Sequence, residues 1–317
     1  MSRGLRNTEM AHQYELSDTQ HRSFKERGFV LLDGLLTNDI LDTVKEKVDG
    51  FLARPTDKYQ TGFARLKYDI LTRDPFFIEL IRDRIGGVVC NLAKQDLLHT
   101  QTLAFELKQQ LSSGFPWHIG TQSFGFQRAE DFGCTLWIPL IKIDNSRQKG
   151  GMSYVPKNTI SGRFVYDDVD PAAFDLLEAA IAANKEITLE EYIELRDGVL
   201  NSSAMRRLLN YFAVTDDFEL GDALLFDKYV IHRSVVLESG VEPARAALAI
   251  RFAGYGSRYD KKRAERLEVP RRFFNYEGPT RFHLDVAQYD GQLLRDGQLY
   301  KNEPYRHLRF QSSDADT

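Results

Sequence analysis

Three apolar runs in the second half of the chain restrict the fold more than any other sequence feature. They are "CTLWIPLIKID" (134–144), "FELGDALLFDKYVIHRSVV" (218–236) and "RAALAIRFAGY" (245–255). Each run is strand-like, and Gly, Asp and Pro break the runs at turns. We therefore expect an all-β core built from residues 100–170 and 214–256.

The first part of the chain, residues 17–100, predicts helices and strands that back this core. Ser17 and Gln20 fit a helix capping box, and "GFVLLDGLL" follows as a short buried strand. From Asn38 to Leu52 the apolar residues recur at helical spacing. The fold class predicted is mainly β, with flanking helices.

Two further segments lie outside the strand runs. Residues 171–213 are rich in Ala, Leu and Glu, and Thr188 with Glu191 makes a second capping box, so we predict a helical insertion that serves as a lid. The extension 257–317 contains the basic stretch "RYDKKRAERLEVPRR", which is predicted to be solvated surface in preference to a phosphate site.

Composition favours one large domain spanning residues 1–317 and a small-molecule partner. Hydrophobic residues make up 42% of the chain, enough for a sizeable core, and a net charge of -4 gives no electrostatic reason to bind nucleic acid or an anionic membrane. The two cysteines, Cys90 and Cys134, predict core thiols in a reducing compartment. Without a signal-peptide pattern or a spanning stretch, we expect a cytoplasmic protein.

Two of the seven histidines lie in strand-like contexts beside residues that could complete a site. His118 follows an aromatic turn, and His232 ends a strand. Alone, each is more often structural than a ligand. Arg245 lies on the next strand and could bind a carboxylate as a planar fork, although an ion pair with Glu242 or Asp222 is the simpler role. Ser234 projects to the same side of its strand as His232.

The chain resembles the phytanoyl-CoA dioxygenase family of iron(II) and 2-oxoglutarate-dependent oxygenases. The similarity runs through "FKERGFVLLDGLL", "PWHIG", "CTLWIPLIKID", "GGMSYVP", "GDALLFDKYVIHRS" and "RAALAIRF". It implies a double-stranded β-helix, or jelly-roll, core that activates dioxygen. It also implies that His118 and His232 are iron ligands, that Arg245 and Ser234 hold 2-oxoglutarate, and that Trp137 walls the cosubstrate pocket.

The departure from that family is Gly120, which stands where its hydroxylases carry a carboxylate ligand. Glycine vacates a coordination position and removes a negative charge, and chloride or bromide would reverse both effects. In this respect the chain resembles the halogenases of the same chemistry, so we predict halogenation of an aliphatic carbon. Three alternatives remain: a hydroxylase that uses water or borrows Glu130 or Asp131, a hydroxylase engineered to carry glycine, and a metal-free binding protein.

Aromatic residues near the motif are the candidates for the substrate pocket. They are Phe115, Phe124, Phe126 and Tyr154, with Trp117 beside them. Core packing is the more common role of any one of these residues. Free amino acids, nucleotides, alkaloids and carrier-protein-bound acyl groups all remain compatible substrates.

Overall fold

The computed structural model describes residues 14–54, 63–275 and 280–311, and its centre is an antiparallel sheet. Within those ranges its strands are β1 Phe29–Leu32, β2 Arg65–Tyr68, β3 Leu97–Lys108, β4 Gly133–Pro139, β6 Ala223–Asp227, β8 Ala244–Gly254 and β9 His307–Leu308. They lie in the order β1-β6-β4-β8-β3-β2, and β9 pairs with β3. The main sheet therefore joins strands from nearly the whole length of the chain.

A smaller sheet faces the main one and supplies the histidines. Its strands are β5 (Met152–Tyr154) and β7 (His232–Ser234), and single bridges add His118 beside β7 and Val214 beside β5. Side chains of both sheets share one buried cluster, in which Met152 meets Trp137. The predicted class, a mainly β jelly-roll core with flanking helices, is confirmed.

Helices before residue 100 cover the outer face of the main sheet. They are α1 (Asp18–Arg27), α2 (Asn38–Leu52), α3 (Pro75–Glu79), which continues as a π-helical turn, and α4 (Gly86–Ala93). Because strand residues alternate between faces, Leu248 and Ile250 of β8 pack on these helices, while Ala247 and Ala249 point into the space between the sheets. The predicted helix from Asn38 to Leu52 and the Ser17–Gln20 capping box are both confirmed.

The expected insertion is helical, and it begins earlier than residue 171. A π-helical turn at Val165–Val169 leads into α6 (Asp170–Ala182), followed by α7 (Leu189–Asn201) and α8 (Ser203–Phe212). The Thr188–Glu191 capping box that starts α7 is confirmed. A short helix, α5 (Thr121–Phe124), lies just after the first histidine.

Three expectations need correction. Of the strand-like run over 134–144, only the part up to Pro139 belongs to β4, and Ile143 forms a separate bridge with Phe218. In the first 100 residues, β1 and β2 are strands of the main sheet itself and do not back it. The basic stretch is not simply solvated, since Arg263 stacks on the Tyr166 ring at 3.8 Å.

The extension beyond β8 forms short helices that pack back on the core. They are α9 (Lys261–Arg266), α10 (Glu268–Phe273), α11 (Phe282–Asp285) and α12 (Gln298–Asn302). Cys90 and Cys134 are buried free thiols, as predicted. In the described parts of the chain, no helix has the length and apolarity needed to cross a bilayer.

Candidate active site

His118 and His232 lie side by side at the edge of the smaller sheet. Their backbones exchange two N–H to carbonyl hydrogen bonds of 2.9 Å, and their ring centroids are 4.2 Å apart. Each Nδ1 lies 2.8 Å from a backbone carbonyl, of Pro116 and Val230 respectively. Because a carbonyl can only accept, both Nδ1 atoms carry the proton, and each Nε2 keeps the lone pair that a metal ion requires.

The surroundings of the two rings favour the neutral imidazole. Burial lowers the pKa of His118, and it lowers the pKa of His232 to well below its usual value, with the neighbouring His118 adding to the effect. Neutral histidine is the form that binds metal. The pair is therefore ready for a metal ion at neutral pH without first losing a proton.

Gly120 lines the same cavity as the two histidines. Its carbonyl accepts from the N–H groups of Ser123 and Phe124, which fixes the turn after the histidine. A Cβ at residue 120 would lie 3.0 Å and 3.2 Å from two ring carbons of Phe124, so any side chain requires that ring to shift slightly.

No carboxylate replaces the missing ligand in the described ranges, where no group of three His, Cys, Asp or Glu could hold a metal. Glu130 and Asp131 both pair with Arg258, and neither lines the cavity. The alternative in which one of them acts as the third ligand is therefore wrong for this structure.

Arg245 is fully buried, and its charge lacks a counter-ion. Its Nε donates to the Gly150 carbonyl at 2.6 Å, while Nη1 and Nη2 have no partner in the described structure. The guanidinium lies 5.4 Å from the ring centroids of both Phe105 and Trp137. Burial lowers its pKa to about 9. The simpler role, a surface ion pair with Glu242 or Asp222, is wrong.

A second orphaned donor accompanies this arginine. Trp137 Nε1 is buried without a hydrogen-bond partner among the described residues. A buried charge without a partner costs several kcal/mol, and a buried unpaired N–H costs about 1–3 kcal/mol. A bound carboxylate would satisfy both, so these residues fit the distal carboxylate of 2-oxoglutarate.

A hydrogen bond to the turn before His118 fixes the Ser234 side chain. Its Oγ accepts from the Phe115 N–H at 3.1 Å, which leaves the hydroxyl proton to donate to a ligand. Gly114 has φ +67°, and a Cβ there would lie 2.3 Å from the Ser234 Cβ. Glycine is therefore required at residue 114 for both reasons.

A cavity of about 200 Å³ is lined by His118, Gly120, His232 and Ser234, whereas Arg245 and Trp137 are not among its lining residues. Phe115, Phe124 and Phe126 line it, as predicted, together with Trp117. Tyr154 does not line it, because its ring packs against Phe29 in the core and its hydroxyl donates to Asp216. Asp216, the partner of the Tyr154 hydroxyl, does not line the cavity either. A sequence pattern could not indicate this orientation.

Sequence reasoning missed several cavity residues outside the motifs. Asp170, Arg196, Asp197 and Leu200 approach from the insertion, Arg271 and His283 from the extension, and Arg251 from β8. For Arg251 a signal existed: an even separation of six from Arg245 places both arginines on one face of a strand. The other residues reach the cavity only through tertiary packing.

No family model and no curated protein matches this chain. Solved structures do match in fold. The epimerase SnoN in complex with Fe3+, alpha ketoglutarate and nogalamycin RO is 15% identical, with a TM-score of 0.55, 88% of this chain and 93% of that chain covered. The non-heme alpha ketoglutarate-dependent carbocyclase SnoK is 14% identical, with a TM-score of 0.54, 77% of this chain and 86% of that chain covered. At these identities the likeness establishes a shared fold.

Proposed function

We propose that this protein is a non-haem iron(II) and 2-oxoglutarate-dependent enzyme that functionalises an aliphatic C–H bond of a small molecule, by halogenation. The observation that carries the proposal is the pairing of two Nε2-presenting histidines with a glycine at the third ligand position. The neighbouring orphaned donors of Arg245 and Trp137 support the choice of cosubstrate. SnoN and SnoK, which share the fold, are described as alpha ketoglutarate-dependent.

His118 and His232 would hold the iron, and iron with 2-oxoglutarate would supply the oxidising power to break an unactivated C–H bond. The protein's own contribution is positioning. Arg245 orients the cosubstrate through its distal carboxylate, and the Ser234 hydroxyl donates a hydrogen bond to that group. The aromatic walls exclude water and hold the substrate at a fixed angle to the metal.

Because Gly120 has no side chain, it leaves space beside the histidines and supplies no negative charge to a bound cation. Both features suit a halide. Two neutral histidines bring no negative charge to a divalent cation, whereas a carboxylate ligand would bring one. An anion from solution restores that charge where the side chain is absent. Which group the substrate would receive depends on how the cavity walls position its carbon relative to residue 120.

Hydroxylation is the second candidate, and the packing around Gly120 favours it. Because a Cβ at this position would crowd the Phe124 ring, the glycine has a steric reason that is independent of any halide. A water molecule could then occupy the vacant coordination position. A metal-free binding role is disfavoured by the unpaired donors of Arg245, which are costly without an anionic ligand.

The test is mass spectrometry of reactions that contain iron(II), 2-oxoglutarate, oxygen and either chloride or bromide with a metabolite library. Halogenation predicts products whose mass and isotope pattern change with the halide supplied. A wild-type enzyme that consumes 2-oxoglutarate and yields only hydroxylated product contradicts halogenation and selects the second candidate.

Two substitutions at one position separate ligand chemistry from packing. Gly120→Asp supplies a carboxylate, and we expect halogenated product to fall roughly tenfold or more, which corresponds to ~1.4 kcal/mol in the barrier. Gly120→Ala adds the same Cβ beside Phe124 without a ligand atom, so it should keep halogenation. Equal loss in both variants would show that crowding, and not coordination, controls the reaction.

A further inference from the structure

We propose that Arg251 binds a carboxylate of the substrate, so that the enzyme acts on a carboxylate-bearing small molecule. The inference rests on the proposed function and adds the substrate class. Its basis is a cavity-lining guanidinium that forms no direct ion pair with a described residue and lies on the same strand face as the cosubstrate arginine.

Strand β8 carries the two arginines on its inward face. Arg245 and Arg251 are six residues apart, which along a strand separates their Cα atoms by about 20 Å. A five-carbon diacid that binds Arg245 and the metal cannot also reach Arg251. Arg251 lines the same cavity as His118 and His232, whereas Arg245 is not among its lining residues. A second anion therefore has its own position beside the histidines.

The Arg251 guanidinium makes no hydrogen bond and no ion pair with any residue of 14–54, 63–275 or 280–311. The nearest carboxylate that acts on it is Asp69, which is hydrogen-bonded to Thr280. Burial raises the pKa of Asp69, while Arg251 acts in the opposite direction, so the two charges attract each other without forming a direct ion pair. Burial likewise lowers the pKa of Arg251, to about 10. The guanidinium is thus desolvated and has no direct ion pair among the described residues, and an anionic ligand would supply one.

Three of the other cations of the cavity are engaged by protein partners, whereas the Nε of Arg233 is buried without a hydrogen-bond partner among the described residues. Arg196 is paired with Asp197, Arg271 donates to Glu268 at 2.6 Å, and Lys228 donates to a backbone carbonyl at 3.1 Å. Arg233 lies over the indole of Trp117, 5.1 Å from the ring centroid.

The immediate surroundings of Arg251 fit a monoanion. Thr135 is opposite Arg251 on β4, and Gln101 and Tyr68 also line this part of the cavity, so its near neighbours are neutral. A planar guanidinium matches a carboxylate through two parallel hydrogen bonds. A phosphate dianion would need a second cation here, and the next charge is the negative Asp69.

The experiment titrates protein loaded with iron(II) and saturating 2-oxoglutarate, under anaerobic conditions, with propionate, inorganic phosphate and propylammonium. Calorimetry measures binding to wild type, Arg251→Met and Arg251→Lys. Arg258→Met is the matched control, because it removes the same group from a surface ion pair. We expect propionate to bind wild type and the control equally, Arg251→Met about tenfold more weakly or worse, and Arg251→Lys in between.

Two further readouts separate this role from a structural one. Without ligand, Arg251→Met should unfold at no lower a temperature than wild type, since the charge it removes is desolvated and forms no direct ion pair; a lower temperature would favour a structural role. Arg251→Met should also keep 2-oxoglutarate affinity, whereas Arg245→Met should lose it, and the reverse result would overturn the proposal. Equal propionate binding by wild type and Arg251→Met, or an Arg251-dependent preference for phosphate, would also overturn it.

The outcome remains decisive if the iron chemistry fails. Should wild type bind neither iron nor 2-oxoglutarate, the proposed function is wrong, and the propionate titration is repeated on the metal-free protein. Binding that still depends on Arg251 would support the carboxylate site by itself. Binding that is insensitive to Arg251 would reject it.

Discussion

Asp170 is a buried carboxyl at the start of α6, and it faces the active-site cavity. Burial raises its pKa from 3.8 to about 6, against the opposing effects of Arg196 and a hydrogen bond from Thr121. Its Oδ1 has no partner in the described structure. At neutral pH the chain therefore carries an ionised group in a position that disfavours ionisation.

Replacement of this residue should change the pH dependence of stability. A raised folded-state pKa means that the native protein holds the proton more tightly than the unfolded chain, so Asp170 lowers stability as pH rises from about 4 to about 6. Above about pH 6 the free energy of unfolding stays lower by this amount, because Asp170 is ionised in both the folded and the unfolded chain. Asp170→Asn should raise the free energy of unfolding near pH 7 by roughly 1–3 kcal/mol. Urea unfolding across the window measures it, and a less stable variant at pH 7 would contradict the argument.

At the level of single residues, the sequence predicts side chains but not what surrounds them. His118, His232 and Arg245 were identifiable because their order and spacing match a known pattern. The spacing of Arg251 from Arg245 is a sequence signal, but its place in the cavity and the unpaired Oδ1 of Asp170 exist only in three dimensions. Tyr154 shows the opposite error, since proximity in sequence to the motif did not bring it to the cavity.

Helix α7 is tied directly to the chain segment that carries the first histidine. Asn201, its last residue, accepts from the Trp117 N–H at 3.1 Å and donates to the Trp117 carbonyl at 2.9 Å. Together with Leu200 on the cavity wall, this contact connects the insertion to the metal site. The proposed lid is therefore linked to the backbone immediately before His118.

Loss of this contact should loosen the insertion. Asn201→Ala removes both hydrogen bonds, worth about 1 kcal/mol each, so local opening should become roughly tenfold more frequent. Limited proteolysis within 171–213 measures the effect. Asn210→Ala, an exposed asparagine of α8, is the matched control. Equal cleavage of the two variants would argue against a role of Asn201 in holding the insertion closed. If iron and 2-oxoglutarate do not change the cleavage of wild type, the insertion is not a lid that responds to them.

Element boundaries were predictable where a local signal marks them. The two capping boxes and the periodic helix from Asn38 to Leu52 each specify their own ends. The π-helical turn at Val165–Val169 carries no such signal, so the insertion was predicted to start too late.

On the scale of the whole molecule, the C-terminal extension completes the core. Arg306 is buried, donates to the Thr100 carbonyl at 2.8 Å where β3 is irregular, and pairs with Glu303. The adjacent β9 then adds to β3. The sequence of residues 257–317 indicates only a polar region. The packing of Arg306 and β9 shows that strand β3 depends on this region.

This dependence predicts a contrast between two nearby arginines. Arg306→Met leaves the buried Thr100 carbonyl without its donor and Glu303 with Arg73 alone, so it should cost about 2–3 kcal/mol in the free energy of unfolding. Arg309→Met breaks an exposed pair with Asp96 and should cost less than about 1 kcal/mol. Urea unfolding compares them. Similar losses would mean that the extension is not held through Arg306.

The unmatched cations between the two sheets also affect how long the folded chain survives. A ligand that binds only the native state stabilises it by about 2.7 kcal/mol at one hundred times its dissociation constant. By neutralising Arg245, 2-oxoglutarate would act in this way. On the proposed function, withdrawal of the keto acid would therefore shorten the lifetime of the folded chain in the presence of a protease.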